Sequence, residues 1–325
     1  MTTLALTFAD IFGEISNFLG LGLAPAGDNL TLAKKYANDG YRMFLAGADP
    51  RTGRAYSWSF LAPAAALELW PSVAEDAAVT VTGVYSSPTG LTTLTAGGGA
   101  PFLPSMEGRT IAISGIGSFT IRGYVSAGVA TVAGDATCSG KAFSIAADGA
   151  YGLPSDFAAI LDDPVSNLGS TLLAAGGGTR VVPRSAAFLR QLQAAGIASG
   201  PPQYYAVLPR AFQVSQGQRY DLLLWPAPSA ACTLRYRYRV EPAALSADAD
   251  VPLGGPQHAL TILQSGLAVA EGRHNDTIGV QTQRYGELLA ASIDLDAANK
   301  AHNLGDSGGG VGGDGVRTLN PVTYP

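Results

Sequence analysis

Gln203 to Pro242, QYYAVLPRAFQVSQGQRYDLLLWPAPSAACTLRYRYRVEP, carries the clearest periodicity in the chain. Three segments rich in aromatic and aliphatic residues are separated by turn formers: Pro209, Gly217, then Pro226 and Pro228. In the last segment Leu234, Tyr236, Tyr238 and Val240 alternate with Thr233, Arg235, Arg237 and Arg239. Side chains on a strand point to opposite faces with a period of two. The segment therefore predicts a half-buried strand with an apolar face and an arginine face. Tyr220, Leu222 and Leu224 alternate with Arg219, Asp221 and Leu223, which predicts a second strand, taken as the antiparallel neighbour of the third. The outcome is a small antiparallel sheet with helices at both ends of the chain.

The bulk composition narrows the class. The chain has 325 residues, of which 47% are hydrophobic and only 14% charged, with 41 glycines and a net charge of -5. Such a chain folds, and its surface is poor in charge, which suits a subunit that hides much of itself in an assembly. The net charge gives no whole-chain basic character for wrapping nucleic acid. Cys138 and Cys232 are too few and too far apart for a disulfide framework or a zinc site, and both are expected reduced. MTTLALTFADIF has no basic region of the kind that opens a secretory signal. No apolar run reaches the roughly 18 residues needed to span a bilayer. A soluble chain made in a cytoplasm, with no membrane partner, is expected.

Outward from the central stretch, the fold class reads as α+β. A helical bundle from N- and C-terminal helices joins a small antiparallel sheet, and a sandwich- or barrel-like β domain is inserted between them. Leu4, Phe8, Ile11, Phe12, Ile15, Phe18 and Leu19 suit one face of a short helix within residues 1–23. A second helix follows from Asp28, placed to cap it, through Phe44 and Leu45, and Gly47 stops it. Tyr56, Trp58 and Phe60 alternate and predict a strand or an extended segment. Runs at 79–85, 109–113, 119–125, 129–133 and 142–145 between glycine-rich turns predict the all-β insertion. Helices are expected near 185–195, 257–272 and 277–298. The division is therefore 1–78 (N-terminal helical part), 79–152 (inserted β domain), 153–302 (sheet and C-terminal helices) and 303–325 (a glycine-rich arm unable to fold alone).

Catalytic signatures are missing from the sequence. His258, His274 and His302 lack metal-type partners at helical spacing and read as helix-surface residues; no metal ligand set and no cofactor are predicted. The glycine clusters Gly176–Gly178 and Gly308–Gly310 have no lysine or following helix to cradle a phosphate. The pairs Asp162/Asp163, Asp248/Asp250 and Asp294/Asp296 read as solvated or capping groups. Asp294-x-Asp296-x-x-Asn299 lacks the glycine and closing glutamate of a calcium loop. Tyr41, Tyr56, Trp58 and Phe60 read as core. The row Arg235, Arg237, Arg239 is the one directional charged feature. Cross-strand acids such as Asp221 are its ordinary explanation, and an acidic partner or DNA phosphates the functional one.

The order of parts resembles a known family. KKYANDGYRMFLAGADPRTGRAYSWSFL (34–61) is similar to the opening of tailed-phage head-to-tail connector, or neck adaptor, proteins. PQYYAVLPRAF (202–212) with GQRYDLLLWPAPSAACTLRYRYRVEPAAL (217–245) resembles their sheet segment. PLGGPQHALTILQSGLAVAEGRHND (252–276) with GVQTQRYGELLAASIDLD (279–296) resembles their late helical pair. SMEGRTIAISGIGSFTIRGYVSAGVATVAGDA (105–136) looks like a phage-type β module, and the likeness covers most of the chain outside 79–151. The resemblance implies a structural virion protein of the neck, not an enzyme, assembled in the host cytoplasm. It implies a ring of copies, a dodecamer, joining portal to a tail, nozzle or stopper protein, with DNA passing through the channel without sequence-specific binding. Arg235, Arg237 and Arg239 would face a neighbour or that channel. The arm would dock on the portal, with Asn303, Val311, Val316, Arg317, Leu319 and Tyr324 as its candidate contacts. Two rivals stand beside this reading: a tail-spike or tail-fibre module that binds or cleaves glycans, and a stopper or capsid decoration subunit.

Overall fold

The computed structural model of the chain describes residues 5–73, 76, 78–161, 164–166, 179–196, 199–212, 217–274 and 278–300. The class is α+β: the described residues hold five α-helices, several sheets and a closed six-stranded barrel. The chain divides into two compact units, Met1–Phe60 with Ala244–Pro325, and Leu61–Ala243.

The first unit is helical. α1 (Phe8–Phe18) starts with a capping box: the Asp10 amide donates to Thr7 Oγ1, and the Thr7 amide donates to the Asp10 carboxylate at 2.8 Å. Its buried stripe is Phe8, Ile11, Phe12 and Ile15. α2 (Gly27–Ala46) ends at Gly47, whose left-handed backbone (φ 41°) breaks the helix. The expected cap is corrected: Asp28 lies inside the first turn, and Ala26 precedes the helix without a side-chain hydrogen bond. α4 (Ala259–His274) packs on α1, α2 and α5 (Val280–Asn299). Where α2 and α4 cross, their backbones touch. A Cβ on Gly40 would stand 2.4 Å from the Gly266 Cα, so this close crossing requires a glycine at 40.

Residues 56–60 form no strand. Ala55 makes a lone bridge with Ala48, and Ser59–Leu61 is a 3-10 turn. The reason is packing. Trp58, 1% exposed, tilts over Phe44 at 4.6 Å between ring centres and donates its indole N–H to the Phe44 carbonyl at 3.1 Å. The aromatic residues serve as core, as their composition suggested, but as a plug in a helical layer.

The second unit is built from strands. β1 (Ala64–Leu69) leads into β2 (Thr80–Ser86), β3 (Leu91–Ala96), β4 (Thr110–Ile113), β5 (Gly117–Ser126), β6 (Val129–Ala133) and β7 (Cys138–Ile145). The last six close into a barrel in the order β2-β3-β6-β5-β4-β7, filled by Val81, Leu94, Ile111, Ile121, Val132, Phe143 and Ile145. The strand at 91–96 was missing from the sequence-based expectation. LTTLTA is short and threonine-rich, but without it the barrel would keep two open edges.

The remaining strands make two sheets. β8 (Ala150–Gly152), β12 (Val182–Pro183), β13 (Tyr204–Pro209) and β14 (Tyr220–Trp225) form one, in the order β12-β13-β14-β8. α3 (Ala186–Ala195) covers its one face through Leu189, which packs with Leu223. β15 (Cys232–Val240) is the centre of the other, paired with β1, β9 (Phe157–Ile160) and β10 (Val165–Ser166), which in turn pairs with β11 (Thr179–Arg180). The expected pairing of the two central strands is therefore corrected: β14 and β15 lie in different sheets. Trp225 to Ala231 is a long proline-bearing connection instead of a tight hairpin turn, and it carries β15 away from β14. Neither cysteine is in a disulfide; Cys232 is buried and Cys138 half-buried.

Candidate functional site

β15 separates its two faces cleanly. Leu234, Tyr236, Tyr238 and Val240 are buried, and Arg235, Arg237 and Arg239 are exposed. The inner face is fixed by polar contacts. The Tyr238 hydroxyl donates to Asp156 at 3.2 Å, and burial together with that carboxylate pushes its pKa up to about 12. Burial raises Tyr236 as well. Phe157 stacks on Tyr238 at 5.8 Å. A buried aromatic face thus holds the arginine face in place.

The cross-strand partners of the arginines are small. The register sets Arg235 opposite Ala66, Arg237 opposite Ala64, and Arg239 opposite Ala159. Ala64, Ala66 and Ala159 are exposed. The pairing with Asp221 proposed from sequence is overturned. Asp221 sits on β14, opposite Leu208 and Gly152, and accepts from Arg109 and from Arg210 Nε at 2.5 Å. Arg237 Nε reaches the Ala62 carbonyl at 3.4 Å. Glu68, opposite Thr233, is the one acid on β1, β9 and β15. A residue that sequence reading missed extends the row. Val165 of β10 pairs with Arg235 on one side and with Arg180 on the other, so the register aligns the exposed Arg180 with Arg235. Only the sheet order reveals this, because Arg180 stands alone in the sequence. The face is a row of guanidinia spaced ~6.6–6.8 Å along β15, with alanines opposite them on β1 and β9.

The other sequence-predicted groups resolve differently. His274 is exposed, but His258 is 3% exposed among Phe44, Trp58 and Phe60, which corrects the helix-surface reading. Burial holds its pKa below the usual range, against the pull of the Asp296 charge. Asp296 is likewise no solvated group. It is 2% exposed and accepts from Ser59 Oγ at 2.5 Å, Ser59 N at 3.1 Å and Tyr56 OH at 2.8 Å. Burial would raise its pKa, but these donors and Lys300 outweigh burial and hold it low. Ser59, Asp296 and His258 do not make a nucleophilic triad, since the serine donates straight to the carboxylate and His258 Nδ1 is without a partner. Asp294 makes a bidentate pair with Arg51 at 2.8 and 3.1 Å, so it turns away from Asp296. Asp250 accepts from the amides of Ser246 and Ala247, both at 2.8 Å, as a turn cap, and Asp248 pairs with Lys34. Glu271, which the sequence did not single out, caps α5 by accepting from the amides of Gly279, Gln281 and Thr282. Asp162, Asp163, His302 and the arm residues Asn303, Val311, Val316, Arg317, Leu319 and Tyr324 lie outside the described residues. No group of three His, Cys, Asp or Glu is placed to hold a metal, and no helix is long and apolar enough to cross a membrane, among the described residues.

Residues 117–308 match the family described as SU10 adaptor protein, more than half of the chain, and the chain belongs to that family. It is a phage adaptor-type protein, structural in character, and a virion component. The match begins at β5, inside the barrel, and leaves out residues 34–61, on which part of the resemblance rested. No curated protein matches the chain.

Proposed function

We propose that the chain is the head-to-tail connector of a tailed phage, a neck adaptor that closes into a ring with copies of itself, dodecameric as in the family it resembles. It joins the portal to a tail, nozzle or stopper protein, and the DNA passes through its channel. The helices at the two ends of the chain would form the side-by-side bundle of that ring, and the arm 303–325 would dock on the portal. The observation that carries the reading, beside family membership, is the arginine ladder of β15 set among exposed alanines. Such a face is suited to charge-assisted contact with carboxylates of a neighbour. Arginines on a flat sheet meet phosphates sooner than base edges, so any contact with DNA would be without sequence preference.

The test is the mass of the purified chain, alone and mixed with the portal of its own phage. A species many times the mass of one chain, formed alone or on the portal, is expected. A chain that stays monomeric over a wide concentration range and ignores the portal sinks the proposal.

A further inference from the structure

β1 ends its sheet: it pairs with β15 and with no other strand among the described residues. The Tyr238 amide donates to the Pro63 carbonyl at 3.3 Å, and in an antiparallel pair such bonds fall on alternate residues. The backbones of Ala65, Leu67 and Leu69 therefore face β15, and those of Ala64, Ala66 and Glu68 face away from the sheet. The Ser105 hydroxyl shows the same alternation, donating to the Glu68 carbonyl at 2.7 Å from that outer side. The N–H and C=O of Ala64 and Ala66, with the Glu68 N–H, are left without a partner strand, and all three residues are exposed. Edge strands are ordinarily protected by a lysine, a proline, a bulge or a very short length. β1, AAALEL, has six residues and an unbroken register with β15. Its one charge, Glu68, stands at the end that Ser105 covers.

A cavity of about 720 Å³ lies against the same strand. Ala66 and Leu67 line it, with Phe102, Leu103, Leu153 and Tyr236. Leu67 and Tyr236 belong to the buried face of the sheet, so the cavity reaches that side. A strand laid beside β1 would turn every second side chain toward the cavity and the others toward the arginine face. The volume lies in the ~300–1,000 Å³ range of small-molecule sites and admits more than one aliphatic side chain. On the other face Arg235 stands opposite Ala66, and an added strand would run two strand spacings, about 10 Å, from the β15 backbone. The small Ala66 side chain leaves that path open. An arginine stem lying over it brings the guanidinium to a carboxylate on the added strand. Arg237 shows the direction, since its Nε reaches the Ala62 carbonyl on the β1 side. We propose that the free edge of β1 takes an extended peptide segment of another protein chain as an added strand, with apolar side chains turned to the cavity and carboxylates turned to Arg235. Main-chain hydrogen bonds supply the affinity, and the alternation of side chains supplies the selection. Only the choice of carboxylates rests on the proposed role of the arginine face; the pairing of backbones does not.

Amide hydrogen exchange of the full chain, followed residue by residue, tests the edge, and its outcome does not depend on whether a ring or a portal complex forms. The blocked peptide EVEVEVE is titrated in, with KVKVKVK as its counterpart of opposite charge. Open N–H groups exchange freely with water, and saturation with EVEVEVE should slow Ala64, Ala66 and Glu68 by roughly tenfold or more. KVKVKVK should bind roughly tenfold more weakly, because its charges face Arg235, and Arg235→Gln should narrow that difference. EVEVEVE methylated on every backbone nitrogen cannot donate to β1 and should give no protection. Ala66→Pro removes the central outward N–H, at a position where an edge strand tolerates proline. In that variant the peptide should leave Ala64 and Glu68 unprotected. Where the variant does not fold, the methylated peptide makes the same test on the natural chain. Protection that grows without peptide as the chain is concentrated also supports the edge, and assigns the added strand to a second copy. Equal protection by the methylated peptide, protection that survives Ala66→Pro, or free exchange of these amides at every peptide and chain concentration would overturn strand addition. Equal binding of the two charged peptides would overturn the preference for carboxylates.

Discussion

Each unit of the chain buries an aspartate among several donors, and the two surroundings differ in kind. Asp221, in the strand-built unit, lies between two guanidinia. Asp296, in the helical unit, is held chiefly by neutral donors, the hydroxyls of Ser59 and Tyr56 and the Ser59 amide, with the Lys300 ammonium farther off at 3.6 Å. Neutral dipoles left behind by a lost carboxylate can turn to water or to one another. A guanidinium left behind keeps its full charge in a part-buried place. The comparison teaches that an aspartate's weight in a fold depends less on its own burial than on what it leaves unpaired.

The largest expected effect is therefore at Asp221, although Asp296 is the more deeply buried. Asp221→Ala takes from Arg210 its carboxylate partner and leaves Arg109 with Asp148 alone, and breaking a buried ion pair in this way costs about 3–5 kcal/mol. Urea unfolding followed by hydrogen exchange in residues 61–243 reads it, and a loss under about 1 kcal/mol would break the comparison. Asp296→Ala should cost about 1–3 kcal/mol, the penalty for buried donors left unmet, with the loss confined to exchange in residues 5–60 and 244–300. A larger loss there than at Asp221 would reverse the argument.

Acid sharpens the contrast. His258 has its pKa lowered by burial, so the unfolded chain binds a proton that the folded unit refuses. Its contribution is complete above the unfolded value of about 6.5 and is lost as pH falls from there toward the lower folded value. Asp296 is also held low, and its contribution begins to disappear only below about 3.9, the unfolded aspartate value, as pH falls toward the folded one. The helical unit should therefore weaken in two stages on acidification. His258→Phe should flatten the upper stage, which begins below about pH 6.5, and leave the lower one. Hydrogen exchange in residues 5–60 and 244–300 across that range distinguishes the stages, and an unchanged upper stage in the variant would contradict this assignment. The smallest effect belongs to the outer face, where the double change of Arg235 and Arg239 to Gln should move unfolding by less than about 0.5 kcal/mol.

Periodicity made the faces of this protein legible and left its partners hidden. The alternation of Leu234 to Val240 gave the inner and outer sides of β15 correctly, because a strand's facing follows from its own sequence. It could not tell that Ala64, Ala66 and Ala159 would stand beside the arginines, since strand pairing depends on where β1 and β9 arrive from remote positions. Asp221 was assigned to the wrong partners for the same reason: adjacency in sequence suggested a hairpin, and the Pro226 and Pro228 connection prevents it. The helices were plain from their spacing, while residues 56–60 carried a strand pattern that the rings of Trp58 and Phe60 overrode by packing on Phe44. Asp296 read as half of a solvated pair with Asp294, because its role depends on Tyr56 and Ser59, some 240 residues away.

The central claim is that stability resides in the inward polar groups and function on the outward arginine face. Replacing Arg235 and Arg239 together by Glu, and measuring both the melting temperature and the mass of the species formed with the phage's portal, tests it most directly. A large assembly for the natural chain, and its loss in the charge-reversed chain with the melting temperature unchanged, is the predicted result. Assembly that survives the reversal, or melting that falls together with it, would contradict the claim.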